Sequence, residues 1–120
     1  HKDGHQTRTF CYITDAIVGF LKVLLIGKPG HAYNIGNENN EISMKDLAKL
    51  FVKIEGNGAS FKFIPYPKTY PGGEPQRRCP DLTKAKTHLS YKSKVSLEHG
   101  LKRFIDWCRT QEMYVGKRDK

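Results

Sequence analysis

The stretch Asp3-Gly4-His5-Gln6-Thr7-Arg8-Thr9-Phe10-Cys11-Tyr12-Ile13-Thr14-Asp15 decides how this chain is read. Polar, turn-forming residues lead into a β-like run from Thr7 to Ile13, and Thr14 or Asp15 can then cap a helix reaching about Ile26. Gly27 with Pro29-Gly30 stops that helix. It is apolar on most sides, through Ile17, Val18, Phe20, Leu21, Leu24 and Leu25, so it is expected to lie between other elements. The stretch has no hydrophobic lead-in, no first strand and no cap ahead of it, which leads us to expect the back part of something larger.

Further along, Ala32-Tyr33-Asn34-Ile35-Gly36 reads as a short strand ending in a glycine turn. Ser43-x-x-Asp46 resembles a capping box for a second helix, with Met44, Leu47, Leu50, Phe51 and Ile54 at helical spacing and Gly56-Asn57-Gly58 closing it. Phe61-Lys62-Phe63-Ile64 reads as another strand, with Phe61 and Phe63 on one core-facing side. Five of the six prolines fall between Pro65 and Pro80, holding that segment extended. Asp81 caps a short helix to about His88. Ser96 caps the last one, in which Leu97, Leu101, Phe104, Ile105 and Cys108 form an apolar stripe flanked by Trp107.

A length of 120 residues bounds the chain to one domain with a modest core, here an α/β lobe of about four helices and two or three short strands. The lobe is expected over residues 1–110, with a polar tail over 111–120. Twenty-one Lys and Arg against 12 Asp and Glu give a formal net charge of +9, which attracts anions such as phosphorylated small molecules or nucleic acid. The cations are mostly scattered singly, apart from Arg77-Arg78 and the tail Lys117-Arg118-Asp119-Lys120, and that dispersion argues against a dedicated nucleic-acid groove. Three unpaired cysteines, Cys11, Cys79 and Cys108, read as reduced thiols of a cytoplasmic protein. The most apolar run, Ala16 to Ile26, is broken by Lys22 and is shorter than the ~20 residues that span a bilayer, so no membrane partner is expected.

The five histidines and three cysteines show no metal-ligand spacing, and no nucleophile elbow occurs. Phosphate binding has more behind it. Arg8 precedes a helix, and Arg77 and Arg78 lie in the proline-stiffened segment before another. A guanidinium fork grips phosphate through charge-assisted hydrogen bonds, and a stiff loop loses little entropy in presenting it. Asn34 could add an amide donor at a strand end. The alternative is that all three arginines are solvated or pair with surface carboxylates. Tyr66 and Tyr70 could stack on a base.

Four ordered segments resemble one family. The opening stretch is similar to the substrate-domain signature of extended short-chain dehydrogenase/reductases that act on nucleotide sugars, namely epimerases, 4,6-dehydratases and decarboxylases. Tyr33-Asn34-Ile35-Gly36-Asn37 resembles their N-I-G turn, Gln76 to Lys86 their Q-x-R-x-P-D block, and Leu89 to Leu101 the block that opens the last helix. Ser90-Tyr91 stands where Gly-Trp is usual, Ser93 where Pro is usual, and Cys79 where a basic or polar residue is common.

The resemblance implies that Arg8 and Arg78 hold a substrate diphosphate, with Asn34, Gln6 and Arg77 as further contacts to the nucleoside-diphosphate sugar. It also implies an NAD(P)-dependent parent enzyme, a lyase or isomerase and a homodimer, whose N-terminal Rossmann domain is absent here. No tyrosine in the chain has a lysine four positions later, and Gly56-x-Gly58 lacks the third glycine of a dinucleotide turn. The lobe alone is therefore expected to be inactive and to bind no cofactor. A stand-alone basic module for nucleic acid is the competing expectation.

Overall fold

The computed structural model describes residues 3–70 and 73–111. The expected basic and polar tail falls almost wholly outside them. In chain order the elements are β1 (Thr7–Arg8), α1 (Ile13–Ile26), β2 (Ile42–Ser43), α2 (Met44–Glu55), β3 (Arg77–Arg78), α3 (Thr83–Leu89) and α4 (Leu97–Thr110). This is the expected small α/β lobe of four helices and three short strands.

Local capping chemistry places two of the helices. The Ser43 hydroxyl accepts from the Asp46 amide at 3.0 Å and donates to the Asp46 carboxylate at 2.7 Å, which starts α2. Gly56, at φ +62°, ends it in a conformation that a side chain would resist. The Ser96 hydroxyl accepts from the His99 amide at 3.3 Å and starts α4. Asp81 acts as expected at the third start, its carboxylate accepting from the Thr83 amide at 2.8 Å, although the boundary residue of α3 is Leu82.

Helix α1 departs from expectation at its start. It begins at Ile13 with Tyr12 as the flanking residue and no side-chain cap. Asp15 is instead buried, and its Oδ2 accepts the Lys94 and Val95 amides at 2.8 and 2.9 Å. The carboxylate thereby fixes the turn leading into α4. A distant pair of orphan amides outcompetes the local ones, because both lie where Asp15 is shielded from water.

The sheet is small and mixed, with strand order β2-β1-β3. β1 pairs antiparallel with β2, Thr7 opposite Ser43 and Arg8 opposite Ile42. It pairs in parallel with β3, Thr7 beside Arg77 and Arg8 beside Arg78. The β-like run expected over Thr7–Ile13 thus contracts to its first two residues. The strands expected at Ala32–Gly36 and Phe61–Ile64 do not form: both segments lack a ladder partner among the described residues, and a strand without one has no backbone bonds to hold it. Phe61 and Phe63 pack edge-to-face on each other at 5.6 Å but stay more than 40% exposed, so the core role expected for them is not what the structure shows.

The core lies where α1 and α3 meet. Leu82, Ala85, Leu89 and Tyr91 are buried, with Val23, Tyr33 and Ile35 against them. Gly19 makes the approach feasible: a Cβ there would lie 2.3 Å from Ile35 and 2.9 Å from Tyr91. Lys22 closes the far end, its ammonium donating to the carbonyl of Leu89 at 2.8 Å. Only this narrow side of α1 is covered. Phe20, Leu24 and Leu25 are 63%, 78% and 76% exposed, so the helix expected to lie between other elements has a bare apolar side among the described residues. The α4 stripe is likewise only partly covered, with Ile105 buried and Phe104 half exposed.

Candidate anion-binding site

Strand alternation sorts the four residues of β1 and β3. Register partners in a parallel ladder share a face, and successive residues point to opposite faces. Thr7 and Arg77 therefore share one face, and Arg8 and Arg78 share the other. The carboxylates agree with this sorting. On the first face Glu41 receives the Arg77 fork at 2.8 to 3.1 Å and the Thr7 hydroxyl at 2.5 Å. On the second, Glu74 receives Arg8 through one carboxylate oxygen and the Tyr70 hydroxyl through the other.

Arg8 and Arg78 differ in what they have left to offer. Arg8 is 15% exposed, with Nη1 donating to the Thr7 carbonyl at 2.7 Å and Nη2 to Glu74. Arg78 is exposed and makes no hydrogen bond or ion pair among the described residues. The Tyr70 hydroxyl, then the Arg8 guanidinium, hold the Glu74 carboxyl below the usual carboxylate range, and the charge of Arg78 adds to the effect. Tyr70 is shifted up in turn by its bond to that carboxylate. Arg77 is raised further by Glu41.

Gln6 and Asn34 are each held by one side-chain hydrogen bond. The Gln6 amide donates to the Tyr66 hydroxyl at 3.5 Å, and the Tyr66 and Tyr70 rings stack with centroids 4.5 Å apart. The Asn34 amide donates to the Asp81 carbonyl at 3.1 Å, tying the N-I-G turn to the chain three residues after Arg78. Glu74 thus joins Arg8 to the tyrosine pair, and strand register puts Arg78 beside Arg8, while Arg77 is committed to Glu41 on the opposite face. Sequence reasoning missed both glutamates. The readable trace was Glu74 four residues after Tyr70 and four before Arg78, inside the proline-rich segment.

The arrangement can grip oxyanions, and it shows no nucleophile–base pair. Tyr91 is buried with its hydroxyl donating to the Gly36 carbonyl at 2.9 Å, and burial pushes its pKa up, so it serves packing. The described residues hold no group of three or more metal-ligating side chains. Gly56 and Gly58 close α2 and run into extended chain, whereas a pyrophosphate cradle needs glycines between a strand and the start of a helix.

No protein-family model matches the chain. Individual relatives do. It is 35% identical over 112 residues to a UDP-N-acetyl-alpha-D-glucosaminuronate decarboxylase of Bacillus cytotoxicus, covering 92% of this chain and 35% of that protein. It is 37% identical over 113 residues to the human dTDP-D-glucose 4,6-dehydratase, covering 91% and 31%. Among solved structures, UDP-glucuronic acid 4-epimerase from Bacillus cereus, in complex with UDP-glucuronic acid and NAD, superposes with a TM-score of 0.74 at 38% identity, over 88% of this chain and 32% of that one. The chain is a homologue of the nucleotide-sugar epimerases, dehydratases and decarboxylases of the extended short-chain dehydrogenase/reductase family, and it corresponds to their C-terminal part. It spans about a third of the length of the curated relatives it matches.

Proposed function

We propose that this chain is the substrate-side part of a nucleotide-sugar epimerase, dehydratase or decarboxylase, and that Arg8 and Arg78 grip the diphosphate of a nucleoside-diphosphate sugar. The observation that carries the reading is the parallel register of β1 and β3, which sets two guanidinium forks side by side on one face. Two cations at neighbouring ladder positions repel each other unless an anion lies between them, and a diphosphate spans such a pair. Gln6 bonds to the stacked Tyr66 and Tyr70, whose rings offer an aromatic surface for a base. Asn34 and Arg77 act at one remove, Asn34 by fixing the Asp81 turn and Arg77 by anchoring β3 to Glu41.

The bare side of α1 supports a second half of the reading. Leu24, Leu25 and Phe20 are the surface that a Rossmann cofactor domain would cover. A separate apolar groove of about 580 Å³, lined by Phe10, Tyr12, Leu47, Phe51 and Phe104 among others, lies between α2 and α4. Redox chemistry on the sugar belongs to NAD in that domain, and this chain's own residues bind and orient the nucleotide. The family's reactions make the whole enzyme a lyase or an isomerase. Three free thiols fit a reducing compartment such as the cytoplasm, and no described helix is long and apolar enough to cross a membrane.

Titration of the full chain with UDP by calorimetry or NMR tests the clamp. Wild type should bind weakly, and Arg78→Ala should weaken binding about tenfold or more, the worth of one charge-assisted hydrogen bond. Equal binding by wild type and Arg78→Ala would overturn the assignment.

A further inference from the structure

We infer that Glu74 is an internal anion of the phosphate clamp, a carboxylate of the chain itself that holds Arg8 until a diphosphate displaces it. The inference rests on the diphosphate reading above and adds what occupies the site beforehand. Both terminal nitrogens of Arg8 are engaged, one by the Thr7 carbonyl and one by Glu74, and only 15% of the side chain is exposed. Glu74 and the Thr7 carbonyl each take an N–H from one terminal nitrogen, so a phosphate oxygen competes with Glu74 for the charge of Arg8. Glu74 is itself held at both ends, by Arg8 and by the Tyr70 hydroxyl.

Three features make the carboxylate displaceable rather than fixed. It is 26% exposed, so water can solvate it once it lets go. Gly73 precedes it at φ +95°, with nothing within 4 Å of where a Cβ would be, which gives the chain a pivot in open space. Finally, a diphosphate carries more charge than one carboxylate and can reach Arg78, which has no ion pair of its own among the described residues. Displacement of Glu74 also frees the Tyr70 hydroxyl, so occupancy of the diphosphate site is felt by the stacked tyrosines beside it.

Calorimetric titration of the full chain with UDP and with inorganic pyrophosphate tests this, using Glu74→Gln, Tyr70→Phe, Glu98→Gln and Arg78→Ala. Glu74→Gln should tighten both ligands about three- to tenfold. Tyr70→Phe removes one of the two bonds holding the carboxylate without changing the charge, and it should tighten them about twofold. Glu98→Gln deletes an equal, exposed charge on α4 and should leave both affinities within about twofold of wild type. Unchanged or weaker binding by Glu74→Gln, alongside loss of binding in Arg78→Ala, overturns the internal anion and leaves the clamp standing: Glu74 would then be orienting Arg8. Tightening by Glu98→Gln equal to that by Glu74→Gln also overturns it, because bulk charge would account for the gain. Failure of wild type and Glu74→Gln alike to bind either probe overturns the diphosphate reading and this inference together.

Discussion

Asp15 offers the sharpest test of how the lobe is held together. One carboxylate oxygen accepts two backbone amides, Lys94 and Val95, nearly eighty residues along the chain. The residue is 7% exposed, while the loop it binds is partly open to water. Hydrogen bonds to a charged group contribute about 1.5–3 kcal/mol each, and the lower end applies where the donors can be partly rehydrated. Asp15→Ala removes both and should destabilise the lobe by about 3 kcal/mol. Asp15→Asn keeps an oxygen in place and loses only the charge assistance, so about 1 kcal/mol is expected. With a urea m-value of about 2 kcal/mol per M, the two variants should unfold at midpoints lower by roughly 1.5 M and 0.5 M. Urea titrations followed by circular dichroism would resolve them. An Asp15→Ala midpoint within 0.2 M of wild type, or equal losses for the two variants, would refute the bridging role.

Two further outcomes follow from buried and charged groups. Tyr91→Phe leaves the Gly36 carbonyl without its buried donor and should lower stability by about 1–2 kcal/mol, read as a fall in melting temperature of roughly 5 °C or more. The pH profile should decline in two stages on acidification. His88 is depressed below 6.5 by burial and by Lys28, His31 and Lys84 nearby, so the unfolded chain takes up its proton first and stability begins to fall below about pH 6.5. Glu38, Glu41 and Glu74 are held below 4.5 by Lys86, by Arg77 and by Tyr70 with Arg8 respectively, so their contribution is complete above that value and is lost as the pH falls through the folded values. Thermal melts from pH 8 to 3 would show both stages, and His88→Gln should erase the first alone.

Sequence was informative where the deciding chemistry is local. The Ser43–Asp46 box, the Ser96 cap and the Asp81 turn each close within three residues, and each forms as expected. It was misleading where pairing is distant. The segments at 32–36 and 61–64 have strand-like composition, yet a strand exists only opposite a partner, and the ladder of β1 goes to Ile42–Ser43 and Arg77–Arg78 instead. Asp15 likewise has the look of a cap and acts as a long-range bridge. Arg8 and Arg78 stand out as candidate phosphate forks by residue type, setting and family resemblance. That they sit side by side, and that Glu74 lies against one of them, depends on tertiary register that no spacing encodes.

The three strands have two residues each, and that brevity has a thermodynamic consequence. Only a few backbone bonds hold β1 to β3, so this sheet should open at lower free energy than the α1–α3 core, and its amides should exchange with solvent earliest among the ordered elements. The proposed ligand would bridge the same two strands from outside. Its binding would therefore act as a clasp, slowing exchange at Thr7, Arg8 and Arg78 first and raising the melting temperature in proportion to the logarithm of its concentration. Local protection at those few amides, rather than any gain in helix content, is the signature by which occupancy of this lobe would be recognised.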